Sequence, residues 1–87
     1  MWIRTQDKTK IVNTDHVQIM TTSKSYGVQD SDGKALTSAI IFQPIQGSVI
    51  SMGVYHDIDE SYAIMDKIMD FIASGEKTAF QMPDANS

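Results

Sequence analysis

Between Asp57 and Ser74 the apolar residues return with the period of an α-helix, and no other segment constrains the fold as strongly. At about 100° per residue, Ile58, Tyr62, Met65, Met69 and Ile72 share a narrow stripe, and Ile64, Ile68 and Phe71 widen it to roughly half the circumference. Both ends are marked. Asp57 suits an N-cap, and Glu60 three residues on makes an aspartate version of the capping box. Asp59 and Glu60 fall in the first turn, where carboxylates suit the helix dipole. Gly75 fits the position after a helix that favours a left-handed backbone. The stripe predicts a helix packed on the rest of the chain, with Met65 and Met69 filling the core beside Met52.

What precedes the helix reads as β-structure. Trp2 to Gln6 is a predicted strand, with Trp2 and Arg4 on one face and Ile3 and Thr5 on the other. Asp7-Lys8-Thr9 turns the chain, and Lys10 to Thr14 pairs back. His16 to Thr22 alternates and is rich in β-branched residues. Tyr26 to Gln29 is a short strand candidate, and Asp30-Ser31-Asp32-Gly33 is the clearest turn. Ala35 to Gln43 forms a longer strand ended by Pro44, and Val49 to Tyr55 returns. Thr78 to Met82 suits an edge strand, with a frayed end from Asp84 to Ser87.

The 87 residues make a single α+β domain, β-rich over 1–56, helical over about 57–74, with an extended tail over 75–87. The predicted architecture is a curled antiparallel β-meander of about five or six strands with one C-terminal amphipathic helix. A pleckstrin-homology-like half barrel shares that order of elements, an analogy of architecture alone.

The run Ala39-Ile40-Ile41-Phe42 adds a constraint. Consecutive apolar residues in a strand point to opposite faces, so both faces of this strand need cover. One helix covers one face. The other is covered by curling of the sheet, by the tail, or by a second copy of the chain. The same run is the longest uninterrupted apolar stretch, far short of the ~20 residues of a membrane span. Together with a start that lacks the pattern of a leader and with zero cysteines, this predicts a cytoplasmic protein with no membrane association.

The net charge of −4 is carried by the second half. There Lys67 and Lys77 stand against Asp57, Asp59, Glu60, Asp66, Asp70, Glu76 and Asp84. No basic patch is visible, which argues against nucleic acid, and the acidic C-terminal third points to solvent or to a basic partner. On the helical wheel Asp59, Asp66 and Asp70 fall within about 40° of each other, on the side away from the core. Such a row is ordinarily a solvated face; read functionally, it is a docking surface for a protein partner.

No other cluster points to chemistry. Asp30 to Gly33 resembles part of a calcium loop, but aligning Gly33 with the loop glycine puts Val28 and Ala39 where ligands belong. His16 and His56 have acidic neighbours along the chain, Asp15 and Asp57, yet adjacent strand residues point apart. No nucleophile elbow, zinc-helix motif or phosphate-binding glycine loop accompanies them. The expectation is therefore no catalytic residue, no metal site and no cofactor. Trp2 and Arg4, sharing a strand face, form either an exposed aromatic–cation patch or a packed N-terminal residue.

Both ends of the chain carry a resemblance. Met1-Trp2-Ile3-Arg4-Thr5-Gln6-Asp7, the Met52-Gly53-Val54-Tyr55 element before the helix with Glu60, Ala63, Met65, Asp66 and Ile68, and Phe80-Gln81-Met82-Pro83 resemble segments of short uncharacterised proteins of Gram-positive bacteria (Firmicutes) and their phages. Those proteins begin with a Trp-Ile-Arg-Ser-Gln-Asp-like strand and later show a Leu-Gly-x-Tyr element; Met52 stands here in place of that Leu. The resemblance implies a mobile-element origin and brings no functional residues with it. The expected function is a small non-enzymatic protein-interaction or accessory protein of phage or prophage type. The alternatives are a homodimeric structural module, by self-association, or a small-molecule-binding domain with a pocket near Tyr55, His56 and Trp2.

Overall fold

The computed structural model describes residues 1–75 and 78–85, and the side chains of all of these except His16, Val17 and Gln18. Expectations resting on Glu76, Lys77, Asn86, Ser87 or the His16 side chain lie outside the described residues. The described chain is α+β: β1 (Trp2–Arg4), β2 (Ile11–Asn13), a 3-10 turn (Thr14–His16), β3 (Val17–Lys24), β4 (Ser38–Pro44), β5 (Ile50–Tyr55), α1 (Ile58–Ala73) and β6 (Phe80–Gln81).

The strands form two three-stranded sheets, ordered β2-β1-β6 and β3-β4-β5, rather than one continuous meander. The break falls between β2 and β3, which the 3-10 turn separates, and β6 returns to lie parallel to β1, Ile3 opposite Phe80 and Arg4 opposite Gln81. β6 lies within the Thr78 to Met82 edge strand that the sequence predicts; its pairing with β1, between the two ends of the chain, has no local signature. The sheets meet at Gln6, whose N–H donates to the Met52 carbonyl at 2.8 Å. The arrangement is curled but not a closed barrel.

Alternation is kept where it was expected. Ile3 and Thr5 are buried while Trp2 and Arg4 face out. The Asp30 turn closes as an Asx turn: Asp30 Oδ1 accepts from the N–H groups of Asp32 and Lys34, each at 2.9 Å, and Gly33 takes φ +80°. The Tyr26 to Gln29 candidate shrinks to a single bridge, Gln29 to Ala35.

Ile3, Ile40, Phe42, Met52, Tyr55, Ile64, Ile68 and Met82 form one core between the two sheets and the helix. In β4, Ala39, Ile40 and Phe42 are buried and Ile41 is half-buried within the single chain. The doubly apolar strand thus finds its cover without a second copy. The tail contributes: Met82 lies in the core, Ala85 packs at its border instead of fraying, and the Pro83 carbonyl accepts from the Tyr55 hydroxyl at 2.9 Å and from Gln6 Nε2 at 3.1 Å. Burial pushes the Tyr55 phenol above its ordinary pKa range.

Candidate interaction surface

The ends of α1 are as the sequence predicts. Asp57 caps it, accepting from the Glu60 N–H at 2.8 Å, and Gly75 takes φ +72° beyond Ser74. Its rotation is different. The residues buried on the helix are Ser61, Ile64 and Ile68. Of the predicted core stripe, Ile58 is 48% exposed, Tyr62 51%, Met69 68% and Ile72 56%; Met65 alone is half-buried. The expectation that this narrow stripe, Met69 included, packs in the core is thus corrected. The apolar arc spans about half the helix, and the sheet covers only one side of it.

Polar contacts explain the rotation. Ser38 on β4 and Ser61 on α1 are both buried and share a hydroxyl–hydroxyl hydrogen bond of 2.8 Å. The small Ser61 allows close approach, and the bond fixes which side of the helix faces β4. On the next flank, Glu60 Oε2 lies 3.0 Å from His56 Nδ1, and Asp30 Oδ2 lies 2.8 Å from His56 Nε2. Further along that flank Phe71 meets Phe80 of β6 edge-to-face, with ring centroids 5.4 Å apart. That side of the helix is therefore turned to the Asp30 turn and the β1–β6 sheet. The opposite flank, carrying Ile58, Tyr62, Met69 and Ile72, turns to the β3 side. There Ile58 borders a groove of about 560 Å³ with Thr22, Lys24, Tyr26 and Thr37.

The sequence-predicted surface residues Asp59, Asp66 and Asp70 are all exposed on the helix, in a row beside the apolar flank. Among the described residues none of these carboxylates takes part in a hydrogen bond or ion pair. The acidic row borders the apolar flank along the helix, and the structure leaves that flank uncovered.

The His56 cluster was not visible from the sequence. The i, i+4 spacing of His56 and Glu60 across the helix start was a usable signal; Asp30, from a distant turn, carried none. Both neighbours of the ring are carboxylate oxygens, which only accept when ionised, so the arrangement favours the imidazolium, in which both ring nitrogens donate. Its hydrogen bonds to Asp30 and then Glu60 hold its pKa above the ordinary value, and its bond to Asp30 lowers the pKa of that carboxyl in turn. With both nitrogens engaged, neither is placed to take a proton from a substrate. The cluster ties the Asp30 turn, the end of β5 and the first turn of α1 together.

Other expected features separate in space. Trp2, half-exposed, borders an apolar depression with Ile11, Pro44 and Ile50, whereas Tyr55 is buried and His56 is held between its carboxylates. That depression gathers Trp2 without Tyr55 or His56. Arg4 Nε donates to Gln81 Oε1 across the β1–β6 pair rather than standing over Trp2. Comparisons with protein-family models, with curated proteins and with solved structures found no match.

Proposed function

We propose that this chain is a small non-enzymatic interaction protein that docks a protein partner on the exposed flank of α1. The single observation that carries the reading is the uncovered row Ile58, Tyr62, Met69 and Ile72 alongside Asp59, Asp66 and Asp70. Isolated apolar side chains on a surface are ordinary, whereas a contiguous apolar strip rimmed by charge is the composition of a docking site. The acidic rim selects a basic partner and discourages unselective association. A role as an accessory factor of phage or prophage type rests on the resemblance of the two ends of the chain.

The test is a pull-down from Gram-positive bacterial lysate at low salt, run with the wild-type chain and with a Tyr62→Lys, Met69→Lys variant. Both positions are exposed, so the variant keeps the fold. A partner retained by the wild type and lost by the variant supports the reading. No retained partner, or one held equally by both, refutes it.

A further inference from the structure

The docking flank lies beside an open sheet edge, and the two together specify how a partner binds. Antiparallel pairs alternate between hydrogen-bonded and non-bonded positions. Ser25 N–H donates to the Thr37 carbonyl at 2.9 Å, in register with the pairs Ser23–Ala39 and Thr21–Ile41. The backbone groups of Thr21 and Ser23 therefore point to β4, and those of Met20, Thr22 and Lys24 point away from the sheet. Among the described residues no strand pairs with that outer edge of β3, where Thr21 Oγ1 donates to the Thr22 carbonyl at 3.5 Å. The other edge of the same sheet is treated differently. Along β5 the side-chain amide of Gln6 imitates a peptide group, Oε1 accepting from Val54 N–H at 2.9 Å and Nε2 donating to the Val54 carbonyl at 3.0 Å. One edge is closed by a side chain and the other is left open, and an open edge is a template for another strand.

Side-chain direction completes the site. Thr22 lies opposite Ile40, and Lys24 opposite Ser38, which touches the helix through Ser61. The side chains of Met20, Thr22 and Lys24 thus share the sheet face that lies under α1. A strand added beyond β3 presents alternate side chains on this same face, below the flank of Ile58, Tyr62 and Met69. Long basic side chains fit there in two parts. Their aliphatic stems would cover the apolar flank, and their charged heads would extend up the helix side toward the aspartates.

We propose that an extended segment of a partner protein, with arginine or lysine at alternate positions, adds as a strand to β3 and fills the groove under α1. This rests on the docking reading above and specifies its mode. Charge favours such a segment over a second copy: pairing β3 with β3 of another molecule brings two identical aspartate-bearing helices onto one face of the joined sheet.

The probe is a synthetic eight-residue peptide alternating arginine and threonine, titrated at low salt into the isotope-labelled full chain. The expected result is movement of the backbone amide signals of Met20, Thr22 and Lys24 together with those of the α1 flank. Binding should weaken at least tenfold when citrulline replaces arginine, and likewise in the Asp59→Asn, Asp66→Asn, Asp70→Asn variant. Thr22→Pro removes an outward N–H without breaking the ladder to β4, and it should weaken binding as much. A peptide N-methylated at alternate residues does the same from the partner's side, whether or not that variant folds. Signals confined to α1, with no effect of N-methylation, would overturn strand addition while leaving helix-surface docking intact. No movement at millimolar peptide overturns the proposal, as does a dilution-dependent dimer by light scattering that uses the same three amides.

Discussion

Gly53 is the position where one added methyl group tests the packing between the sheets. It lies in β5, its backbone has no positive φ, and alanine meets no conformational obstacle there. The obstacle is steric. A Cβ at Gly53 would stand 2.8 Å from Tyr55 Oη, 3.1 Å from Tyr55 Cε2 and 3.1 Å from Gln6 Cβ, where ordinary contact begins at 3.4 Å. Neither neighbour is free to give way. Tyr55 is fully buried with its hydroxyl donating to Pro83, and Gln6 is held through its amide to both backbone groups of Val54. Overpacking of this kind costs about 1–3 kcal/mol. Relief of glycine's backbone entropy within a strand returns about 0.5–1 kcal/mol. Gly53→Ala is therefore expected to destabilise by a net of about 1–2 kcal/mol, a drop of several degrees in Tm for a chain of this size.

Tyr55→Phe supplies the control. Alone it loses one hydrogen bond, a cost of about 1 kcal/mol, while the Pro83 carbonyl keeps Gln6 as a donor. It also removes the atom nearest the new methyl group. In the Phe background the Gly53→Ala cost should fall by about 1 kcal/mol, a coupling that a double-mutant cycle resolves. Urea titrations of the four proteins, with an unchanged slope, give the numbers. Equal Gly53→Ala costs in the two backgrounds, or a neutral Gly53→Ala in the wild type, would refute the packing argument.

Three further outcomes are expected. His56 has a folded-state pKa raised above its ordinary 6.5, so its contribution is complete below about pH 6.5 and fades as pH rises through the raised value; Asp30, lowered from 3.8, contributes above that pH and fades as pH falls through its lowered value. Stability measured by thermal melts across pH 3 to 9 should therefore fall at both ends relative to a plateau near pH 4–6.5, and in His56→Gln the alkaline loss should disappear. Ser61→Ala should cost about 1–2 kcal/mol by urea unfolding, while the Ser38→Ala, Ser61→Ala double variant should cost no more than the single one, because it leaves no buried hydroxyl without a partner. Asp57→Ala should lower stability by about 1 kcal/mol through loss of the bond to the Glu60 N–H, with helix content by circular dichroism falling at the same time; an unchanged melt would remove the capping role.

Local rules read the local structure well. Cap, periodicity and terminal glycine placed α1 within a residue or so of its observed ends, and turn chemistry placed the Asp30 loop. Alternation placed Ile3 and Thr5 inward. What escaped depends on contacts between distant residues. The edge strand within Thr78 to Met82 was legible, but its parallel pairing with β1 joins the two ends of the chain, and nothing local names that partner. The Tyr26 to Gln29 segment, which contains Gly27 at φ +73°, keeps only one bridge because glycine there bends the chain out of the extended conformation. The acidic row was legible as a row. Its neighbour, the exposed apolar flank, was not, because a helical wheel shows the width of an apolar arc and not which part of it the sheet covers.

That last point bears on whether the exposed flank is incidental. Turning α1 by about 80° about its axis would carry Ile58, Tyr62 and Met69 toward the sheet in place of Ile64 and Ile68. Each half-exposed large apolar side chain forgoes on the order of 1 kcal/mol of burial in the observed orientation. Opposing that turn are the buried Ser38–Ser61 bond, the link from Glu60 to His56, and the Phe71–Phe80 contact, all of which would break together. Polar groups inside a core are costly unless matched, and here they are matched only in this one rotation. The chain thus uses its few buried polar contacts to hold an orientation that burial of apolar area alone would not select. The flank held outward lies beside the open edge of β3 and under Asp59, Asp66 and Asp70, so the same contacts that set the helix also assemble the proposed docking site.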